Sequence, residues 1–143
     1  MKVLLDTNVW ISGLLWGGKP RQIIQLGQQK QILIYSSQLL IKELELTLAY
    51  PKLQRRLDKL EITTEELLQE VFKIVTLIQP VSLPSIPELR DSKDKIVLET
   101  AVSVPVNAIV SGDEDLLVMK KFQEIPIVTV KDFLDIYNNL DKD

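Results

Sequence analysis

Short apolar runs alternate along the chain with longer stretches in which apolar positions recur every three to four residues, the patterns of buried strands and of helices with one covered face. Val3 to Leu5, Ile32 to Tyr35, Ala108 to Val110 and Ile125 to Val128 have strand character. Val9 to Trp16 is apolar without a clear period and is broken by Gly17-Gly18-Lys19-Pro20, where Pro20 suits the first position of a helix carrying Ile23, Ile24 and Leu26. Ser37 can cap a helix running to about Tyr50, and Pro51 to Lys59 sets Leu53 and Leu57 at helical spacing. Thr63 with Glu66 makes a capping box before a stripe of Leu67, Leu68, Val71, Phe72, Val75 and Ile78. Pro80, Pro84 and Pro87 hold an extended connector. Helical stripes follow through Val97, Leu98, Ala101 and Val104, briefly as far as Met119, and through Phe133, Leu134, Ile136 and Tyr137 with Thr129 as cap; residues 141–143 suit a loose tail. Strands alternating with helices predict an α/β fold: a three-layer sandwich with a central, mainly parallel sheet flanked by helices, in one domain spanning 1–143.

That architecture gathers chain-distant residues at the carboxyl ends of its strands. Asp6 ends the first strand and Asp113, after Ser111-Gly112, ends a later one, so both are expected at one sheet edge. Capping the following turn is the other role open to Asp6, since Asp, Thr and Asn are all favoured there. On a helix through residues 38–50, Glu43 falls between Leu39 and Leu46 on one side and Leu40 on the other, with Lys42 and Glu45 opposite. It is either an inward ligand or a half-exposed edge residue. In Arg90-Asp91-Ser92-Lys93-Asp94, Asp91 or Ser92 can cap the next helix, whereas Asp94 precedes Val97 and Leu98 by three and four residues on the inward face. Asp91 is the other candidate for a ligand from this group.

Composition sharpens the chemistry. The chain has 143 residues, 45% of them apolar, and no cysteine or histidine. Thiolate sites, disulfides, histidine general bases and the common zinc sites are thereby excluded. The acidic set Asp6, Glu43, Asp94 and Asp113 consists of hard oxygen ligands, which favour Mg²⁺ or Mn²⁺. Carboxylates gathered in one pocket repel each other unless a cation joins them. Such ions activate water and stabilise a leaving oxygen at phosphorus, so no side-chain general base is needed. A net charge of −3 argues against binding nucleic acid by bulk electrostatics and leaves local patches as the route. Lys52, Arg55, Arg56 and Lys59 form the clearest basic cluster, a pattern more often found on a solvated helix face. No apolar run is long enough to span a bilayer and Met1-Lys2 leads straight into the first strand, which predicts a soluble, cytoplasmic protein.

Leu5-Asp6-Thr7-Asn8, Ser37 to Glu43, Asp94 leading into Leu98-Glu99-Thr100-Ala101, and Ser111-Gly112-Asp113-Glu114-Asp115-Leu116-Leu117 occur in the order seen in PIN-domain ribonucleases, and the chain resembles the VapC-like toxins of bacterial toxin-antitoxin pairs. Trp16-Gly17-Gly18-Lys19-Pro20 is similar to a segment of one branch of PIN-family toxin components. The resemblance covers nearly the whole chain. It implies an Mg²⁺- or Mn²⁺-dependent endoribonuclease with Asp6, Glu43, Asp94 and Asp113 as metal-binding catalytic acids, Asp115 as an additional ligand, and Asn8 and Ser111 orienting the acids through hydrogen bonds. It also implies an RNA substrate, a homodimer and an antitoxin partner. Lys19, Arg21, Arg55 and Arg56 are the candidate RNA contacts. Two other readings are a non-catalytic module using the fold to bind RNA or protein, and a phosphatase of the haloacid dehalogenase type. The latter needs a second acid two residues after the nucleophile, where this chain has Asn8.

Overall fold

A computed structural model describes residues 1–86, 89 and 92–140. Its core is a six-stranded sheet in the order β3-β2-β1-β4-β6-β5, parallel except for the last pairing. The strands are β1 (Lys2–Leu5), β2 (Leu33–Ser36), β3 (Val75–Leu77), β4 (Ala108–Val110), β5 (Lys121–Phe122) and β6 (Ile125–Val128). The helices are α1 (Thr7–Leu15), α2 (Gly18–Gln28), α3 (Gln38–Leu48), α4 (Pro51–Lys59), α5 (Thr64–Ile74), α6 (Ser92–Ser103), α7 (Glu114–Leu117) and α8 (Val130–Leu140).

The three layers follow from strand alternation. Val3 and Leu5 of β1, with Ala108 and Val110 of β4, enter a core shared with α1, α2, α5 and α8. Leu4 and Ile109, on the other face, pack with Val97, Leu98 and Ala101 of α6 and Leu116 of α7. Both faces of the central strands are therefore covered, as a parallel sheet requires.

Several elements differ from the sequence expectation. The apolar stretch after Asn8 is α1, whose Val9, Trp10, Ile11 and Leu15 are all buried; a helix covered on several sides has no single stripe to announce it. Helix α2 begins at Gly18, so Pro20 stands third in it; its missing N–H would lack an intrahelical partner there in any case. The helix opened by the Thr63 box stops at Ile74, and Val75 starts the edge strand β3 instead of continuing the stripe. Phe72 is exposed because the covered face of α5 is Leu67, Leu68 and Val71, and Leu39 and Leu46 are exposed because that of α3 is Leu40, Ile41, Leu44 and Leu48. Strand β5 reaches β6 through a hairpin turn at Gln123 and Glu124, both with positive φ. Ser92 is already helical, while Pro87, Arg90, Asp91 and the 141–143 tail lie outside the described residues. No helix among the described residues is long and apolar enough to cross a membrane.

Candidate metal centre

The strand order reverses between β1 and β4, which pair in parallel with Leu5 opposite Val110. A crevice opens at such a switch point because the connections leave in opposite directions. Asp6 and Ser111 are the residues that follow the two strands, and both are buried.

Asp6 caps α1, its Oδ1 accepting from the Thr7 N–H at 2.7 Å. The capping role open to it from the sequence is thus present. Its Oδ2 accepts from the Ser111 hydroxyl at 2.7 Å, and Ser111 Oγ in turn accepts from the Asp113 N–H at 3.0 Å. One serine therefore ties the ends of two adjacent strands together. Asp113 caps α7 by accepting from the Asp115 N–H at 2.9 Å, which turns that short helix and brings Asp115 beside it.

Asp94, in the first turn of α6, completes a group with Asp113 and Asp115. It is only 4% exposed, and carboxylate oxygens of the three acids all lie within 4.8 Å of one another. Oxygen ligands on opposite sides of Mg²⁺ stand about 4.2 Å apart, twice the usual bond length, so small adjustments would let these acids share one ion. A donor set made only of carboxylates matches a hard cation.

Glu43 is placed by the packing of α3 against α6. Ser37, the α3 cap, lies 3.2 Å from the Thr100 hydroxyl, and both side chains are fully buried. Further along the pair, Lys93 Nζ stands 3.9 Å from Glu43 Oε1. The Glu43 side chain is 17% exposed, so it borders the covered face without being enclosed by it. The structure thus unites Asp94, Asp113 and Asp115 directly, connects Asp6 to Asp113 through Ser111, and sets Glu43 beside the start of α6. Asn8 is exposed, on the α1 side of the crevice. Neither the Ser37–Thr100 contact nor Lys93 near Glu43 is legible in the sequence, because both depend on how two distant helices dock.

The candidate RNA contacts divide. Arg21 donates to the Gly13 carbonyl at 3.0 Å and to the Leu14 carbonyl at 3.2 Å. Arg56 donates to the Leu15 carbonyl at 2.9 Å and lies over the Trp16 ring, 5.6 Å from its centroid. Both arginines thus satisfy carbonyls at the C-terminus of α1, where cations are favoured. Lys19 and Arg55 are exposed.

A parallel α/β sheet with carboxylates gathered at its switch point defines a class of proteins suited to metal-assisted chemistry. The chain belongs to the PIN-domain family, which matches residues 2–115. All five acids described above lie in that span. Members of the family are generally nucleases and typically bind a divalent metal. The chain is also similar, at 29% identity over 126 residues, to an uncharacterized protein of Methanocaldococcus jannaschii; the match covers 84% of this chain and 76% of that protein. No solved structure matches the chain.

Proposed function

We propose that this protein is a single-domain, Mg²⁺- or Mn²⁺-dependent endoribonuclease of the cytoplasm, acting as the toxin of a toxin-antitoxin pair. The observation that carries the nuclease reading is the convergence of Asp94, Asp113 and Asp115 within 4.8 Å in a PIN domain. These three would hold the metal, with Asp6 and Glu43 completing the acidic surround. A bound divalent ion would supply the charge that polarises a phosphodiester and the acidity that activates water. The protein's own residues prepare the place: Ser111 fixes Asp6 relative to Asp113, the α7 cap orients Asp113 and Asp115, and the first turn of α6 presents Asp94.

The toxin role, and the antitoxin it implies, rest on the family resemblance. A homodimer is supported by Leu39 and Leu46 on α3 and Phe72 on α5, large apolar side chains left exposed; sedimentation that finds only monomer would remove that part.

Purified protein should cleave total RNA with Mn²⁺ or Mg²⁺, stop when the ion is chelated, and lose the activity in Asp94→Asn prepared in the same way. Cleavage that survives both treatments would refute a metal nuclease built on Asp94. Metal-independent RNA binding without cleavage, unchanged in Asp94→Asn, would instead identify a binding module.

A further inference from the structure

An RNA strand approaching this centre brings its phosphates toward carboxylates on a chain of net charge −3, so the repulsion has to be offset locally. Among the described residues, two hollows open at the carboxyl-terminal edge of the sheet, the edge that carries Asp6 and Asp113. One, of about 460 Å³, lies between the start of α3, the end of β3 and the connector after it; among the described residues it is lined by Glu99 and by no lysine or arginine. A phosphate there would meet further negative charge.

The other, of about 370 Å³, opens where α1 and the first turns of α2 and α8 meet. Lys19 and Lys131 border it, the latter also in an exposed ion pair with Asp135 at 3.2 Å; Asn8 and Ser12 contribute an amide and a hydroxyl, and Val9 and Val130 give it an apolar wall. It adjoins the candidate metal centre through Ser111, whose hydroxyl binds Asp6 and whose neighbour Gly112 also lines the hollow. A Cβ built at Gly112 would meet nothing within 4 Å. Gly112 also lacks the positive φ of Gly17 and Gly18, so its backbone does not demand glycine; the missing side chain simply leaves the mouth open. Lys131 lies beyond the residues matched to the family, so the family match does not assign this half of the cleft.

Resting on the nuclease reading, we propose that this cleft seats the nucleotide beside the scissile phosphate of a single-stranded RNA, with Lys19 and Lys131 contacting its backbone phosphate and the apolar wall against its ribose or base. A hollow of about 370 Å³ is of the size of a single nucleotide, not of a stacked run. Isolated, unstacked nucleotides are also what proteins read most readily in RNA.

The test is affinity for a short single-stranded RNA of mixed sequence, measured with chelator present so that binding is separated from turnover, at several salt concentrations. Each phosphate contact to a single strand contributes about −0.7 to the slope of log affinity against log salt. Lys19→Ala and Lys131→Ala should each weaken binding and flatten the slope by about that amount. Lys73→Ala removes a lysine as exposed as Lys131 from its ion pair with Glu70 on α5, the counterpart of the Lys131–Asp135 pair, and should leave the slope unchanged. Gly112→Leu, which fills the mouth without altering charge, should weaken binding while keeping the slope. If the wild type binds and cleaves RNA but the cleft variants bind as it does, or Lys73→Ala flattens the slope equally, the cleft assignment is overturned and the nuclease reading stands. If the wild type neither binds nor cleaves RNA, both are overturned.

Discussion

Ser111 has a single hydroxyl proton and gives it to Asp6, while its oxygen receives the Asp113 N–H. Removing that hydroxyl would take a donor from one buried carboxylate and an acceptor from one backbone amide. Leaving a buried polar group without its partner costs about 1–3 kcal/mol. Ser111→Ala should therefore lower the midpoint of urea unfolding with little change in its slope, and Ser111→Thr, which keeps the hydroxyl, should lose less if its methyl group is accommodated. A Ser111→Ala protein as stable as the wild type would mean that the two strand ends are held by other contacts. By its sequence pattern Ser111 is a small residue between a strand and an acid, and it is the family resemblance that implies a role in orienting the acids. Its value as a bridge comes from the pairing of β1 with β4.

Among the helices, α1 is the one whose placement controls most of the crevice, since Asp6 caps its start and Asn8 and Ser12 line the cleft. Its far end turns at Gly17, which has positive φ and donates its N–H to the Ser12 carbonyl at 3.0 Å, and Arg21 and Arg56 add hydrogen bonds to the carbonyls of residues 13–15. Gly13 lets α2 pass close by: a Cβ there would stand 2.6 Å from Ile24 Cδ1, 3.0 Å from the Pro20 carbonyl carbon and 3.1 Å from the Arg21 amide nitrogen. The Ile24 side chain can turn away, but the α2 backbone cannot without shifting the helix. Alanine is intrinsically better than glycine within a helix by about 1 kcal/mol. Gly13→Ala should nevertheless lower the melting temperature, and a rise would show that α1 and α2 separate at little cost. The arginines illustrate a general ambiguity: a basic residue near a suspected RNA site can equally serve a helix terminus, and only the docking of α2 and α4 beside α1 shows which contacts it makes.

For the molecule as a whole, the sheet connects parts of the chain more than a hundred residues apart, so a ligand held jointly by α6 and the β4–α7 turn stabilises the fold as a unit. Any ion bound by the folded state and not by the unfolded chain raises stability by mass action, about 2.7 kcal/mol at a hundredfold excess over the dissociation constant. Mn²⁺ should accordingly raise the melting temperature, and Asp94→Asn should blunt the gain while remaining folded. Equal gains in both proteins would show that the ion binds elsewhere. Asp94 is buried beside Asp113 and Asp115, so exchanging its charge for an amide also relieves repulsion in the metal-free protein.

The sequence by itself determined the layered α/β plan, because strand and helix periods are local and because Ser37, Thr63, Thr129 and the apolar runs mark their own elements. It also limited the chemistry to oxygen ligands by lacking histidine and cysteine, and it pointed to the acids that converge at the switch point. It could not signal β3, which follows α5 without a glycine or proline to separate them, or β5, whose turn residues Gln123 and Glu124 are not those usually found at positive φ. Tertiary structure decided between the two places open to Glu43, setting it at the edge of a covered face, brought Asp115, an additional ligand only by resemblance, beside Asp94 and Asp113, and put Lys19 in a cleft with Lys131. The reason is physical: periodicity shows which side of an element is covered, whereas the partners that meet there are set by strand order and helix docking, which join residues remote in the chain.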